Sequence, residues 1–452
     1  MEESIIKEKF GMNVKLNRRS FLKMAGIASG TALLAACAAP VAAPGDEPMA
    51  EDYIVNHWTW LSASDAEVWG AHIDNFNEAH AGLGIQIERL EVSSNEYKTK
   101  VLAAAATGQA PDFGWADAGE RADFIADGVM IPVEEHLAEA GLDWSDFTAL
   151  SVAKGRYPQF NNQLYHMPLD AMTWQLEINL DHVEEVGLDP DSPPTNNDEL
   201  LEWSKALSVQ EGDTVVRSGF LMTGSGLHVA FIWGLVAHQM GFRITNDELT
   251  EVCVNPDAAK EAAQWTLDLF DVHKVATRDV SDRYKAFGTG EGSMFLTGPW
   301  TLNGYIEQGL NFAVEFTPNI GGELATRLSV GSQEMYIQED ESRYARSAEA
   351  LTWLSDESFL WTTQGRGAAC RQSILDREDY KEHRWEYRQP FVEGMEFATF
   401  IPPKLKAAPD FKYYTSPNLV HRIIDPVWQG DKSVDEGVDE LCAAWEELLA
   451  AE

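Results

Sequence analysis

From residue 53 onward the chain alternates between two hydrophobic periods. Tyr53 to Leu61 reads as a first strand. Ser64 followed by Glu67 reads as a capping box, opening a helix with Val68, Trp69, His72, Ile73 and Phe76 on one face. A strand follows at Ile85 to Val92. Next comes a helix from about Asn95 to Thr107 closed by Gly108, and then a buried strand, Asp112 to Ala116, after Pro111. Strand, helix, strand, helix, strand is the rhythm of a parallel sheet with crossover helices, so the fold class is α/β. In such open sheets ligands sit beyond the carboxyl ends of the strands, which brings Trp60 and Asp117 forward as site candidates.

Further on the period changes again. Leu164 to Asn179 is extended and shows no helical repeat. Thr195 or Asn196 caps a helix carrying Leu200, Leu201, Trp203 and Leu207, and Asn255-Pro256 opens another with Ala259, Ala262, Ala263, Thr266, Leu269 and Phe270 in step. Helices also fit Ala345 to Leu354 and Asp435 to Leu449. About 400 residues exceed what one hydrophobic core holds, so two lobes are expected.

The first 52 residues read differently. Asn17-Arg18-Arg19-Ser20-Phe21-Leu22-Lys23 leads into the apolar run Met24 to Ala36, too short to span a bilayer, and ends at Leu34-Ala35-Ala36-Cys37. Paired arginines followed by a weakly hydrophobic run read as a twin-arginine export signal over residues 1–36, and Leu-Ala-Ala-Cys resembles a lipobox. On that reading Cys37 becomes the lipid-bearing N-terminus, and the Ala- and Pro-rich stretch 37–51 is a tether, anchoring the chain to the membrane without spanning it.

Charge narrows the partners. Removing residues 1–36 takes six of the 34 Lys and Arg and three of the 73 Asp and Glu, leaving 28 against 70, a formal charge near −42. Such a chain repels nucleic acid and anionic headgroups and steers no phosphate-bearing ligand from a distance. A neutral solute or a cation fits this field better. Cys253, Cys370 and Cys442 allow at most one disulfide and show no metal-ligand spacing. Folding before export, in a reducing compartment, predicts three buried thiols.

The succession of landmarks resembles the family 1 extracellular solute-binding proteins of ABC importers, the group that includes maltose-binding protein. Its pieces are the Trp-bearing first strand, the segment Ala103 to Phe113, and Tyr165-His166-Met167-Pro168 followed by Asn179. After these come Gly187-Leu188-Asp189-Pro190, Pro193-Pro194-Thr195, Asp198-Glu199-Leu200, and Phe287-Gly288-Thr289-Gly290 leading to Gly298-Pro299-Trp300. The chain departs from the family pattern at Asn197, at Glu177-Ile178-Asn179-Leu180 and at Gly290-Glu291-Gly292-Ser293-Met294. The resemblance implies a periplasmic-binding-protein fold of type II: residues 52–168 with 317–366 form lobe 1, and residues 169–316 with 367–452 form lobe 2. The chain would cross near Leu169, Phe316 and Gly367. A monomer with no cofactor would close on a carbohydrate, a di- or oligosaccharide, and present it to the permease subunits of an ABC transporter.

Sugar sites pair aromatic platforms with polar groups that satisfy hydroxyls. Family positions place Trp58, Trp60, Trp115, Asp117, Asp170, Met172, Trp174, Trp233, Trp300, Gln333, Glu334, Arg371 and Tyr414 at the cleft. Trp58 and Trp115 lie on strands, where packing competes with ligand contact, whereas Trp60 and Trp300 lie at element ends. Asp117 serves equally as a helix N-cap, and Arg371 equally as half of a surface ion pair. A polyamine is the rival ligand: cleft carboxylates without offsetting Arg or Lys favour it, and Arg among them favours a neutral hydroxylated solute. An exported glycoside hydrolase is the rival from another class, but Met222-Thr223-Gly224-Ser225-Gly226 is no nucleophile elbow, and HExxH and P-loop motifs are lacking.

Overall fold

The computed structural model describes residues 53–116, 118–398 and 419–451. The stretch expected to be an export signal and tether, with Cys37, and the candidates Asp117 and Tyr414 lie outside the described residues. Among the described residues no helix is long and apolar enough to cross a membrane.

Two sheets organise the chain. In the first, β1 (Tyr53–Thr59) pairs in parallel with β2 (Ile85–Glu91) and with β3 (Phe113–Trp115). Strand β4 (Met167–Thr173) belongs to the same sheet, and β5 (Gln175–Asn179) to the second. The second sheet also holds β6 (Val209–Glu211), β7 (Thr214–Phe220), β8 (Gly292–Thr297) and β9 (Phe312–Glu315), in the order β9-β5-β8-β7-β6. Strand β10 (Leu328–Met335) then returns to the first sheet, antiparallel to β3 and β4, and β11 (Ala368–Ala369) closes its edge beside β4.

Each sheet has its own core, built from the stripes visible in the sequence. The helix Ala63–Ala79 buries Trp69, His72, Ile73 and Phe76 against the first sheet. It starts at Ala63, so Ser64 sits inside the first turn and the expected capping box does not form; Ser62 is the N-cap and makes no side-chain cap bond. The helix Asn197–Leu207 is capped by Asn196, whose Oδ1 accepts from the Glu199 N–H at 3.1 Å. The second core centres on the helix Leu227–Gln239, apolar all round and buried over nearly its whole length, as a helix enclosed by its own lobe must be.

The chain crosses between sheets at Trp174 rather than near Leu169, because strand pairing in the first sheet persists to Thr173. Hydrogen bonds lace three segments together there. The Trp174 carbonyl accepts from the hydroxyls of Thr317 and Thr326 on the returning segment. Gln175 accepts from the Thr317 N–H at 2.8 Å and donates to the Pro390 carbonyl at 2.8 Å, and the Thr173 hydroxyl donates to the Phe391 carbonyl at 2.8 Å.

The expectation of three thiols is corrected. Cys253, on the short strand Val252–Val254, and Cys442, on the helix Val434–Ala450, form a disulfide, and Cys370 remains a buried thiol. The two cysteines are 189 residues apart in sequence, but both elements pack on the second core, which sets their Cα atoms 5.6 Å apart. A domain that folds with thiols in contact closes the bond once it meets an oxidising compartment. Because the bridge closes a long loop, Cys253→Ala/Cys442→Ala is expected to lose about 2–4 kcal/mol of unfolding free energy. Urea denaturation of the variant and of the reduced parent checks this; coincident curves for oxidised and reduced parent would contradict it.

Candidate functional site

A cavity of about 440 Å³ opens between the two sheets, within the size range of small-molecule sites. The first sheet contributes Trp60, immediately beyond β1, Trp115 at the end of β3, and Ala116 after it, so the carboxyl ends of the parallel strands do face the site. The crossing at Trp174 contributes that ring and Met172. The second lobe contributes Phe231 from its buried helix, Arg283 and Tyr284 from the helix Arg283–Gly288, and Trp300 after β8. Arg121, Lys154, Arg327, Ser329, Gly331 and Arg366 also line the cavity. A neighbouring cavity of about 490 Å³ shares Tyr284, Trp300 and Arg366, so the groove continues along the seam between lobes.

The Trp300 ring is fixed by three contacts. Its Nε1 donates to the Tyr284 hydroxyl at 2.9 Å, its ring meets Trp174 edge-on at 6.0 Å, and it folds back over Gly298. A Cβ at position 298 would lie 2.0 Å from that ring, which is why glycine precedes Pro299-Trp300. Arg283 donates to the same Tyr284 hydroxyl, and its guanidinium carbon lies 4.2 Å from the Tyr284 ring centroid.

Guanidinium groups are laid on aromatic faces elsewhere in the cleft. Arg327, buried, sits 3.9 Å from the Phe231 centroid and 5.3 Å from that of Trp174, and donates to Ser329 at 2.8 Å. Arg366 lies 5.5 Å from the Trp60 centroid and is held from behind by Asp65 at 2.7 Å. Arg121 is held at 2.7 Å by Glu334, which also accepts from the Ala116 N–H at 2.7 Å and the Ser332 hydroxyl at 2.6 Å. Stacking and a fixed carboxylate hold these planar cations where a flexible ammonium would wander.

Of the residues named from sequence, Trp60, Trp115, Met172, Trp174 and Trp300 line the cavity together. Trp115 presents little surface, being 1% exposed and packed edge-on against Trp69 and Trp361. Asp170 lies directly behind the lining: a Cβ on Gly331 would stand 2.6 Å from its Oδ1, and Trp361 Nε1 donates to its Oδ2 at 2.6 Å. Burial pushes the Asp170 carboxyl up to about 7, against the opposing pull of Arg366. Glu334 likewise backs the site instead of facing it; burial raises its carboxyl, against Arg121.

Four other candidates are elsewhere. Trp58 packs into the cluster around Tyr97, whose hydroxyl donates to the Trp58 carbonyl at 3.2 Å. Gln333 is buried in β10 and does not line the cavity. Trp233 is fully buried in the second core, donating to the Ala259 carbonyl at 2.9 Å. Arg371 pairs with Asp146 at 2.8 Å and Asp356 at 2.7 Å, so both its charge and its geometry are already used away from the cleft. The residues that sequence reasoning missed are cations and their platforms: Arg121, Lys154, Arg283, Arg327 and Arg366 with Phe231 and Tyr284. The available signal was local, in Arg283-Tyr284 ahead of Phe287-Gly288 and in Arg366-Gly367.

A third buried carboxylate sits nearby. Glu177 on β5 is fully buried, accepts from the Thr301 hydroxyl next to Trp300, and is pushed up to about 8 by burial. The folded chain therefore keeps this proton up to about pH 8, whereas the unfolded chain releases it near 4.5. Unfolding releases a proton across that window, so stability falls as pH rises through it. Glu177→Gln is expected to gain on the parent by up to about 1.4 kcal/mol per pH unit between roughly pH 5 and 8. Paired urea titrations measure this, and an offset constant with pH would contradict it.

Comparison with known proteins bears on this arrangement. The family model described as bacterial extracellular solute-binding protein matches residues 71–383. A relative from Sinorhizobium fredii, named as a probable amino-acid ABC transporter periplasmic-binding protein, is 26% identical over 239 residues, 50% of this chain and 51% of the relative. The chain thus spans about half the length of the curated relative it matches. UgpB from Mycobacterium tuberculosis, solved with glycerophosphocholine, superposes with a TM-score of 0.75 at 14% identity, covering 88% of this chain and 99% of that one. The GacH receptor of Streptomyces glaucescens, solved unliganded and with acarbose, gives 0.72 at 19% identity over 88% and 98%. The maltotriose-bound MalE domain of Bdellovibrio bacteriovorus gives 0.71 at 16% identity over 88% and 100%. At these identities the likeness is one of fold: two α/β lobes with a groove between them.

Proposed function

Since the chain belongs to the bacterial extracellular solute-binding protein family, we propose that it captures a hydroxylated, carbohydrate-type solute between its lobes and delivers it to the permease of an ABC transporter. The single observation that carries this reading is the convergence of Trp60, Trp174 and Trp300 on one cavity from the first lobe, the crossing and the second lobe. Indole faces match the apolar C–H faces of a sugar ring, and the polar groups between them match its hydroxyls. Maltotriose in the MalE domain and acarbose in the GacH receptor are ligands of that kind on the same fold. Charge argues against the polyamine alternative, because the lining supplies Arg and Lys where a polyamine needs carboxylates.

Function then follows from closure. A solute that touches both lobes binds the closed arrangement better than the open one, and only that difference shifts the equilibrium. The laced crossing at Trp174 and Gln175 is the hinge on this reading, and lipid on Cys37 would hold the clamp near its permease. Residues 53–173 with 328–369, which share the first sheet, would move as one jaw, and 175–316 with the helices Leu419–Trp428 and Val434–Ala450 as the other.

A thermal-shift panel of sugars, sugar acids, sugar phosphates and polyamines tests the reading. Any bound solute raises the melting temperature with concentration and perturbs tryptophan emission. If sugars and their derivatives leave the transition in place while a polyamine moves it, the carbohydrate reading is wrong.

A further inference from the structure

The lining of the cleft is charged with the opposite sign to the rest of the molecule. Lys and Arg make up only 34 of the 452 residues and the formal charge is −39, yet Arg121, Lys154, Arg283, Arg327 and Arg366 all line one cavity. Among the described residues no Asp or Glu side chain lines it. Two of these cations are balanced from behind, Arg121 by Glu334 and Arg366 by Asp65. Arg283 makes no ion pair among the described residues; its recorded contacts are with Tyr284.

Hydrogen bonding points the same way, independently of charge. Three buried polar atoms on lining residues have no hydrogen-bond partner among the described residues: Nε1 of Trp60, Nε1 of Trp174 and Nε of Arg283. All three are donors. A buried donor left unmet costs free energy, so the cleft is built to receive acceptors. A neutral sugar hydroxyl both donates and accepts, and its proton finds few acceptors here. An oxyanion only accepts, and its charge is matched by guanidinium groups already held in position on aromatic faces.

We infer that the solute carries an oxyanion, a carboxylate or a phosphate, on its hydroxylated body, and that Arg283 is a specificity-determining contact for that group. This rests on the solute-binding reading of the same cleft. The global negative charge repels such a solute at long range, so its recognition comes from contact within the cleft and not from steering.

Isothermal titration calorimetry with matched pairs separates the possibilities: glucuronate against glucose, galacturonate against galactose, glucose 6-phosphate against glucose, with maltose and spermidine alongside. The expected result is that at least one acid or phosphate binds and its neutral partner binds roughly 10- to 100-fold more weakly, the worth of a charge-assisted contact. The carboxylate and phosphate arms tell the two sources apart. Arg283→Gln should weaken the anion by a similar factor and the neutral partner by less than about threefold, with Arg283→Lys recovering part of the loss. Arg283 backs no buried carboxylate, so an unchanged melting transition of the unliganded variant verifies its fold. Neutral sugars binding as tightly as their acids, or Arg283→Gln weakening both equally, would overturn the inference while leaving the carbohydrate reading intact. Binding of spermidine alone, or of no anion at millimolar concentrations, would overturn the inference, and spermidine alone would remove the carbohydrate reading with it.

Discussion

Trp300→Ala is expected to weaken solute binding by about 1–3 kcal/mol, the usual worth of an aromatic anchor at the centre of a site. Trp300 faces both cavities along the seam, contacts Trp174 at the crossing, and is oriented by the Tyr284 hydroxyl that Arg283 also engages. Removing the ring therefore takes away a platform and loosens its neighbours. Trp300→Phe keeps an aromatic face but loses the bond to Tyr284, so its loss should be intermediate. Gly298→Ala offers a check that leaves Trp300 in the sequence: the added methyl would occupy the space of the ring, displace it, and reproduce much of the Trp300→Ala defect. Calorimetry on the three variants measures this order, and a change below about twofold for Trp300→Ala would place the ring outside the contact surface.

Arg121→Met is expected to show the largest loss of stability, about 3–5 kcal/mol, because it leaves Glu334 as a buried carboxylate deprived of its cation. Arg121 is 3% exposed and Glu334 is fully buried, so water cannot take the guanidinium's place. Burial already raises the Glu334 carboxyl, with Arg121 opposing. Without Arg121 the group rises further and keeps its proton to higher pH. The deficit should therefore be smallest in acid, where Glu334 is neutral in parent and variant alike, and grow as pH rises, because the variant holds this proton to higher pH than the parent and goes on losing stability after the parent has stopped. Adding Glu334→Gln to Arg121→Met should recover most of the loss at high pH. A deficit that does not change with pH, measured by urea unfolding, would show that the pair's charges contribute little.

How much of this was readable from sequence depends on whether the signal was local. The run from Tyr53 to Ala116 was legible because each element carries its own period, and its parallel pairing follows from the crossover helices between strands. Trp60 and Trp300 stood out as aromatic residues at element ends, where side chains face a groove more than a core. Trp233 was misplaced because an all-apolar helix gives no face to read: every side of Leu227–Gln239 is buried, so position along it says nothing about the cleft. Arg371 was misplaced because its two carboxylate partners, Asp146 and Asp356, are brought to it only by the fold. The basic lining was the least legible feature. Arg121, Arg283, Arg327 and Arg366 come from separate segments, so no local run of positive charge marks them, and the formal charge of −39 suggested the opposite character for the site. Net charge describes the surface that solvent and partners meet from afar; it does not predict the sign inside a groove of about 440 Å³.

The central claim, a solute held between two lobes, is tested most directly by a crystal structure grown with the tightest binder from the calorimetric panel. The account predicts density for that solute between Trp60 and Trp300, in contact with Arg283, with the lobes shut around it about Trp174. Density lodged on one lobe alone, or outside the seam with the cleft residues untouched, would contradict it.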